Sequence, residues 1–166
     1  DVSKNTAVVD LQCGYNQLTS LDVSNNIALK YMSCENNQLT SLNVSVNTSL
    51  MELQCYSNQL TSLDFSNNTA LTHLYCYSNQ LTSLDVSNDI ALVELDLSNM
   101  PTLYKVCVWV MPFPPAGISV NITGSPNVFF TTNCAETALK PYEVSGTIDI
   151  YPNPSDGIIN IEIENI

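Results

Sequence analysis

Residues 53–71, Leu53-Gln54-Cys55-Tyr56-Ser57-Asn58-Gln59-Leu60-Thr61-Ser62-Leu63-Asp64-Phe65-Ser66-Asn67-Asn68-Thr69-Ala70-Leu71, decide the fold, because nearly the same string stands 21 residues before and 21 residues after. Cys13, Cys34, Cys55 and Cys76 mark the period, and so regular a spacing is a repeat rather than a disulfide framework. Alignment on it places Asn16, Asn37, Asn58 and Asn79 in one column. The apolar columns are Leu18, Leu39, Leu60, Leu81, then Leu21, Leu42, Leu63, Leu84, then Val23, Val44, Phe65, Val86. The unit reads LxxLxCxxNQLTSLDVSxNxx.

Over about residues 1–108 this unit resembles a leucine-rich repeat of the short irregular 21-residue class. The resemblance implies a β-rich solenoid, a right-handed superhelix of short parallel strands. Twenty-one residues leave no room for a strand, two turns and a three-turn helix, so little or no α-helix is expected. Leu50, Leu53, Cys55, Leu60, Leu63 and Phe65 illustrate the six inward apolar side chains of one coil. Each contributes roughly 1.5 to 3 kcal/mol when fully buried, but only a stack of coils buries them all.

The Asn16, Asn37, Asn58 and Asn79 column is expected to point inward at a turn, pairing with backbone groups that have no sheet partner. The Ser24, Ser45, Ser66, Ser87 and Asn26, Asn47, Asn68 columns are read the same way at the opposite turn. The Cys13, Cys34, Cys55 and Cys76 column sits at an inward position, which predicts buried free thiols.

The period weakens at Leu97, where cysteine is due, and Met100, where asparagine is due, with Leu103, Val106 and Val108 forming one last narrow coil. Residues 1–108 therefore read as a solenoid of about five to six coils, and 109–145 as an irregular β C-terminal cap. Cys107 and Cys134 lie outside the 21-residue register and flank the cap, which points to a disulfide between them and hence to an oxidising compartment. Residues 146–166 alternate Ile148, Ile150 and Ile159, Ile161, Ile163 with polar residues around Tyr151-Pro152-Asn153-Pro154, a hairpin signal. The string IDIYPNPSDGIINIEI also resembles the start of the C-terminal sorting domain of type IX secretion substrates of Bacteroidetes. That resemblance implies an extracellular or bacterial cell-surface location.

Sixteen acidic residues stand against four lysines and no arginine, a net charge of −12, so a phosphate backbone is an improbable partner. No apolar run is long enough to cross a membrane as a helix. Beyond His73 and the cysteines there is little nucleophile, base or soft-ligand chemistry, and no catalytic set, cofactor or metal site is expected. Asp1–Asn5 aligns with Asp22–Asn26, so the sequence opens within a repeat. The first coil's apolar edge and the C-terminal hairpin are the expected places for a homodimer contact.

The resemblance further implies an exposed concave sheet, whose columns vary from coil to coil. They are Asp10, Tyr31, Glu52, His73, Glu94; then Gln12, Ser33, Gln54, Tyr75, Asp96; then Gly14, Glu35, Tyr56, Tyr77, Ser98. Tyr31, Glu52, Gln54, Tyr56, His73, Tyr75, Tyr77, Glu94 and Asp96 are the expected ligand-binding residues, since tyrosines supply large contact area at low entropic cost. Stacking of those tyrosines for sheet stability alone is the competing reading. The leading function is a secreted or surface module binding a protein, or a glycan, through this face. Alternatives are a structural spacer displaying another domain and, more weakly, an ice-binding hydroxyl array formed by Thr19, Thr40, Thr61, Thr82 and Ser20, Ser41, Ser62, Ser83. Asp22, Asn43, Asp64 and Asp85 form an outward column of hard oxygen donors.

Overall fold

The computed structural model describes residues 1–135, and the hairpin and sorting-domain expectations for 146–166 lie outside them. Nine three-residue strands and no helix occur among the described residues. They are β1 (Asp10–Gln12), β2 (Tyr31–Ser33), β3 (Glu52–Gln54), β4 (His73–Tyr75), β5 (Ser83–Asp85), β6 (Glu94–Asp96), β7 (Lys105–Cys107), β8 (Ser119–Asn121) and β9 (Phe129–Thr131). All pair in parallel, in two sheets ordered β1-β2-β3-β4-β6-β8 and β5-β7-β9. Each residue of β1 to β4 lies beside the residue 21 positions on, as in Asp10 beside Tyr31 beside Glu52 beside His73. The fold is a parallel β-solenoid in which each 21-residue unit is one coil.

The repeat unit dictates each part of the coil. After β1, β2, β3, β4 and β6 one residue is left-handed: Tyr15, Asn36, Ser57, Ser78 and Asn99 have φ of 55°, 52°, 52°, 53° and 53°. The following asparagine turns inward and ties three segments together. Asn37 Nδ2 donates to the carbonyls of Cys13 and Cys34 at 3.0 Å, and its Oδ1 accepts from Leu18 N at 2.9 Å. Asn58 and Asn79 repeat the pattern one and two coils on. Asn16, in the first coil, reaches only its own coil.

The opposite turn uses two devices. In D-x-S the aspartate side chain accepts from the serine N–H, as Asp22 Oδ1 does from Ser24 N at 2.9 Å, and Asn43, Asp64 and Asp85 do likewise. Two successive tight turns follow, such as Asn47 N to Val44 O at 2.9 Å and Leu50 N to Asn47 O at 3.0 Å, which take the place of a helix. A second asparagine ladder bridges the coils there: Asn47 Nδ2 donates to Val23 O and Asn26 O, and Asn68 Nδ2 to Val44 O and Asn47 O.

Inside, every apolar column closes into one core, with Leu50, Leu53, Cys55, Leu60 and Phe65 at 1% exposure or less. Cys34, Cys55 and Cys76 are buried free thiols, while Cys13, in the first coil, is half-buried.

The stacking runs past residue 108. Within the segment expected as a cap, β8 pairs with β6 and β9 with β7, so each sheet gains a strand. Gly124, at φ 76°, takes the left-handed position. Ser125 takes the asparagine's place: its hydroxyl donates to Leu97 O at 2.7 Å and accepts from Met100 N at 2.8 Å. Trp109 meets Phe113 edge-on with centroids 5.4 Å apart, Phe113 lies 4.9 Å from Phe130, and all three pack on the end of the core. Cys107 and Cys134 form the expected disulfide.

Candidate functional site

The larger sheet turns one face inward and the other to solvent. Because register is kept across all six strands, outward side chains line up in three rows. The first runs Asp10, Tyr31, Glu52, His73, Glu94, Ser119; the second Gln12, Ser33, Gln54, Tyr75, Asp96, Asn121. All nine expected binding residues lie on this face, in these two rows or in the third with Tyr56 and Tyr77.

Short polar contacts tie these side chains together, between rows and along them. Gln54 Nε2 donates to Glu52 Oε1 at 2.6 Å, and Gln12 Nε2 to Asp10 Oδ2 at 3.3 Å. The Tyr75 hydroxyl donates to Glu94 Oε2 at 2.9 Å, and Asn121 Nδ2 to Asp96 Oδ2 at 3.1 Å. His73, in register between Glu52 and Glu94, has its Nδ1 2.9 Å from Thr72 Oγ1. Among the described residues the three ligating groups that converge are instead Asp85, Cys107 and Cys134, whose two sulfurs are used in the disulfide.

Tyr56 and Tyr77 stack with centroids 4.3 Å apart and planes 8° apart. Partial burial pushes the Tyr56 phenol well up, and its hydrogen bond with Tyr15 and the nearby Glu35 carboxylate add to the shift. Tyr75 is pushed up to about 12 by burial, then by its bond to Glu94 and the charges of Glu94, Glu52 and Asp96. Both phenols are therefore neutral donors at physiological pH.

Two features escaped the column reading. Glu35 is buried at 6% exposure, its carboxylate taking the Ser33 hydroxyl and lying where a side chain on residue 14 would be; Gly14 leaves that space open. Tyr15, 75% exposed, sits at the left-handed position outside the three rows, yet its hydroxyl reaches Tyr56. The Gly14-Tyr15 pair, where other coils carry a larger residue followed by Asn or Ser, was the available signal.

A depression of about 170 Å³ opens on the first three coils, floored by Met32 and walled by Asp10, Gln12, Tyr31, Ser33, Glu52 and Gln54. Asp10 and Glu52 flank Tyr31 from the strands on either side. Five of the ten carboxylates of residues 1–135 lie on this face, namely Asp10, Glu35, Glu52, Glu94 and Asp96, and His73 is the one basic side chain in the rows. Lys30, just before Tyr31, borders it.

No protein-family model and no curated protein matches the chain. Among solved structures, the functional domain of InlJ from Listeria monocytogenes, which includes a cysteine ladder, superimposes with a TM-score of 0.70 at 32% identity. The match covers 77% of this chain and 28% of that one. The leucine-rich-repeat ectodomain of the receptor kinase SOBIR1 from Arabidopsis thaliana superimposes with a TM-score of 0.52 at 20% identity, over 65% of this chain and 64% of that one, a likeness of fold alone. The chain thus spans about a quarter of the first structure and under two thirds of the second.

Proposed function

We propose that this leucine-rich-repeat solenoid is a non-enzymatic, secreted or cell-surface module that binds another protein, or a glycan, through the solvent face of its larger sheet. The observation that carries the reading is the contrast between columns. Core and ladder columns repeat the same residue coil after coil, while the three outward rows change at almost every step on a backbone held in strict register. A rigid scaffold of this kind presents Tyr31, Tyr56, Tyr75, Tyr77, His73, Glu52, Gln54, Glu94 and Asp96 with little ordering left to do on association. The Cys107–Cys134 disulfide and the resemblance of residues 148–163 to a type IX sorting signal support the extracellular placement.

A binding screen against extracellular proteins and polysaccharides, beside a variant carrying Tyr56→Ser, Tyr75→Ser and Tyr77→Ser, tests the reading. Binding that disappears in a variant still folded at the assay temperature is the expected result. Equal binding by both proteins moves the site elsewhere.

The spacer reading draws on a specific observation of its own. The Tyr56–Tyr77 stack and the Tyr75–Glu94 hydrogen bond engage these side chains within the sheet, as a face serving stability alone would have them. Under that reading no member of the panel binds, and the triple substitution lowers only the melting temperature.

A further inference from the structure

Resting on the binding reading above, we infer that the partner presents a cationic protein segment, with an arginine or lysine seated over Tyr31 between Asp10 and Glu52. The sheet face carries five carboxylates against one imidazole, so an approaching segment meets a field of one sign. Two of those carboxylates border a depression rather than standing free. Tyr31 lies in register between Asp10 and Glu52, and strand spacing separates the two carboxylate positions by about 10 Å. A guanidinium or ammonium group over Tyr31, the residue between them, is within reach of both.

The seat is shaped before any partner arrives. Gln54 holds one oxygen of Glu52, and Gln12 lies against Asp10 from the same strand. The Met32 side chain points away from this face into the core, and the Ser33 hydroxyl is turned toward Glu35. An entering cation thus finds acceptors on two sides, and the partly exposed Tyr31 ring takes the stem of a long basic side chain.

A glycan fits this face less well. Sugar rings stack on aromatic faces, but Tyr56 and Tyr77 lie parallel at 4.3 Å and spend one face each on the other. The aromatic residue of the depression, Tyr31, is flanked by negative charge on both sides, which a neutral sugar does not use and a basic side chain does.

The test uses fluorescent extended peptides of alternating Gly-Arg, Gly-Glu and Gly-Ser, together with dextran, on the full chain. The Gly-Arg peptide should bind, weakening at least tenfold between 50 mM and 500 mM salt, as expected for a charge-driven association. Asp10→Asn with Glu52→Gln should weaken it about tenfold. Asp22→Asn with Asp64→Asn removes the same charge from the other side, and Asn43 already fills that turn position with the same hydrogen bond to Ser45 N; binding there should stay within twofold. Equal weakening by both pairs would mean that net charge alone is sensed and would overturn the seat. Binding of Gly-Ser peptide or dextran but not Gly-Arg, lost in the Tyr56, Tyr75, Tyr77 triple variant, would overturn the cationic partner while keeping the sheet face as the site. Binding of any probe equally by wild type and both face variants would remove the sheet-face reading itself.

Discussion

The side-chain amide of Asn58 donates to the carbonyl oxygen of Cys34, one coil back, at 3.1 Å. The same amide accepts from Leu39 N and donates to Cys55 O, so a single side chain satisfies backbone groups in two coils at a turn where no strand can. Alanine at this position leaves the Leu39 N–H buried without an acceptor, worth about 1–3 kcal/mol, and takes one of two amide donors from each of Cys34 O and Cys55 O, which keep Asn37 and Asn79. Asn58→Ala should therefore lower unfolding free energy by about 2 to 3 kcal/mol in urea denaturation. Asn16→Ala, whose amide is exposed and serves its own coil alone, should lower it by less than about 1 kcal/mol. Equal losses would show that the ladder adds nothing between coils.

The other ladder contains an exception. Asn26, Asn47 and Asn68 donate to carbonyls of the preceding coil, but position 89 is aspartate, 1% exposed, with neither carboxylate oxygen hydrogen-bonded. A carboxylate has no proton to donate to the carbonyls that register brings beside it. Burial, and then the charge of Asp85, push the Asp89 carboxyl up to about 7. The folded form therefore holds its proton where the unfolded form has released it. Stability is fully present below about pH 4, falls as pH rises through the interval to about 7, and is flat beyond. Asp89→Asn should restore the donor, remove that slope, and raise stability at pH 8 by on the order of 3 kcal/mol. Melting curves from pH 4 to 8 decide it; an unchanged slope in Asp89→Asn would assign the pH dependence to other groups.

The ladder and core were legible in the sequence because a stacked coil repeats the same demands at the same interval. Cys55, Asn58 and Leu60 had to recur once a coil needed a thiol-sized gap, an inward amide and an apolar wall. What stacking does not constrain was not legible. The strands at 119–121 and 129–131 extend both sheets, but an enlarged loop containing Met111-Pro112-Phe113-Pro114 precedes β8, shifting it to 25 residues beyond β6, and Ser125 stands in for the asparagine. The pairing survives an insertion that the sequence period does not. On the sheet face, the rows were readable from alternation, whereas the fold-back of Glu35 over Gly14 depends on a missing side chain one coil away.

The Cys107–Cys134 disulfide closes a stretch of 27 residues, from β7 through the aromatic cluster to the residues after β9. Loop-closure entropy for that length stabilises by about 3 kcal/mol. Reduction, or Cys107→Ser with Cys134→Ser, should lower the denaturation midpoint accordingly. Protection of β8 and β9 amides against hydrogen exchange should fall well before that of β2, β3 and β4, because the outermost strands lose their tether while the central coils keep neighbours on both sides. Uniform loss along the solenoid would mean that the coils unfold as one unit rather than from the end.

The four ladder cysteines should differ in reactivity by position alone. Burial pushes Cys34 and Cys76 up to about 12 and Cys55 well above its ordinary value. Cys13 is raised by burial and by Glu35, but it is only half-buried. At pH 8 a thiol at 12 is thiolate in about one molecule per ten thousand, and the thiolate is the species that attacks disulfide reagents. Titration of the native protein with an aromatic disulfide should release one equivalent quickly, with the other three appearing only in denaturant. Cys13→Ser should abolish the fast equivalent and leave the slow ones unchanged. Rapid release of two or more equivalents from the folded protein would mean that the core opens between coils on the timescale of the assay, contrary to the close burial of Cys34, Cys55 and Cys76.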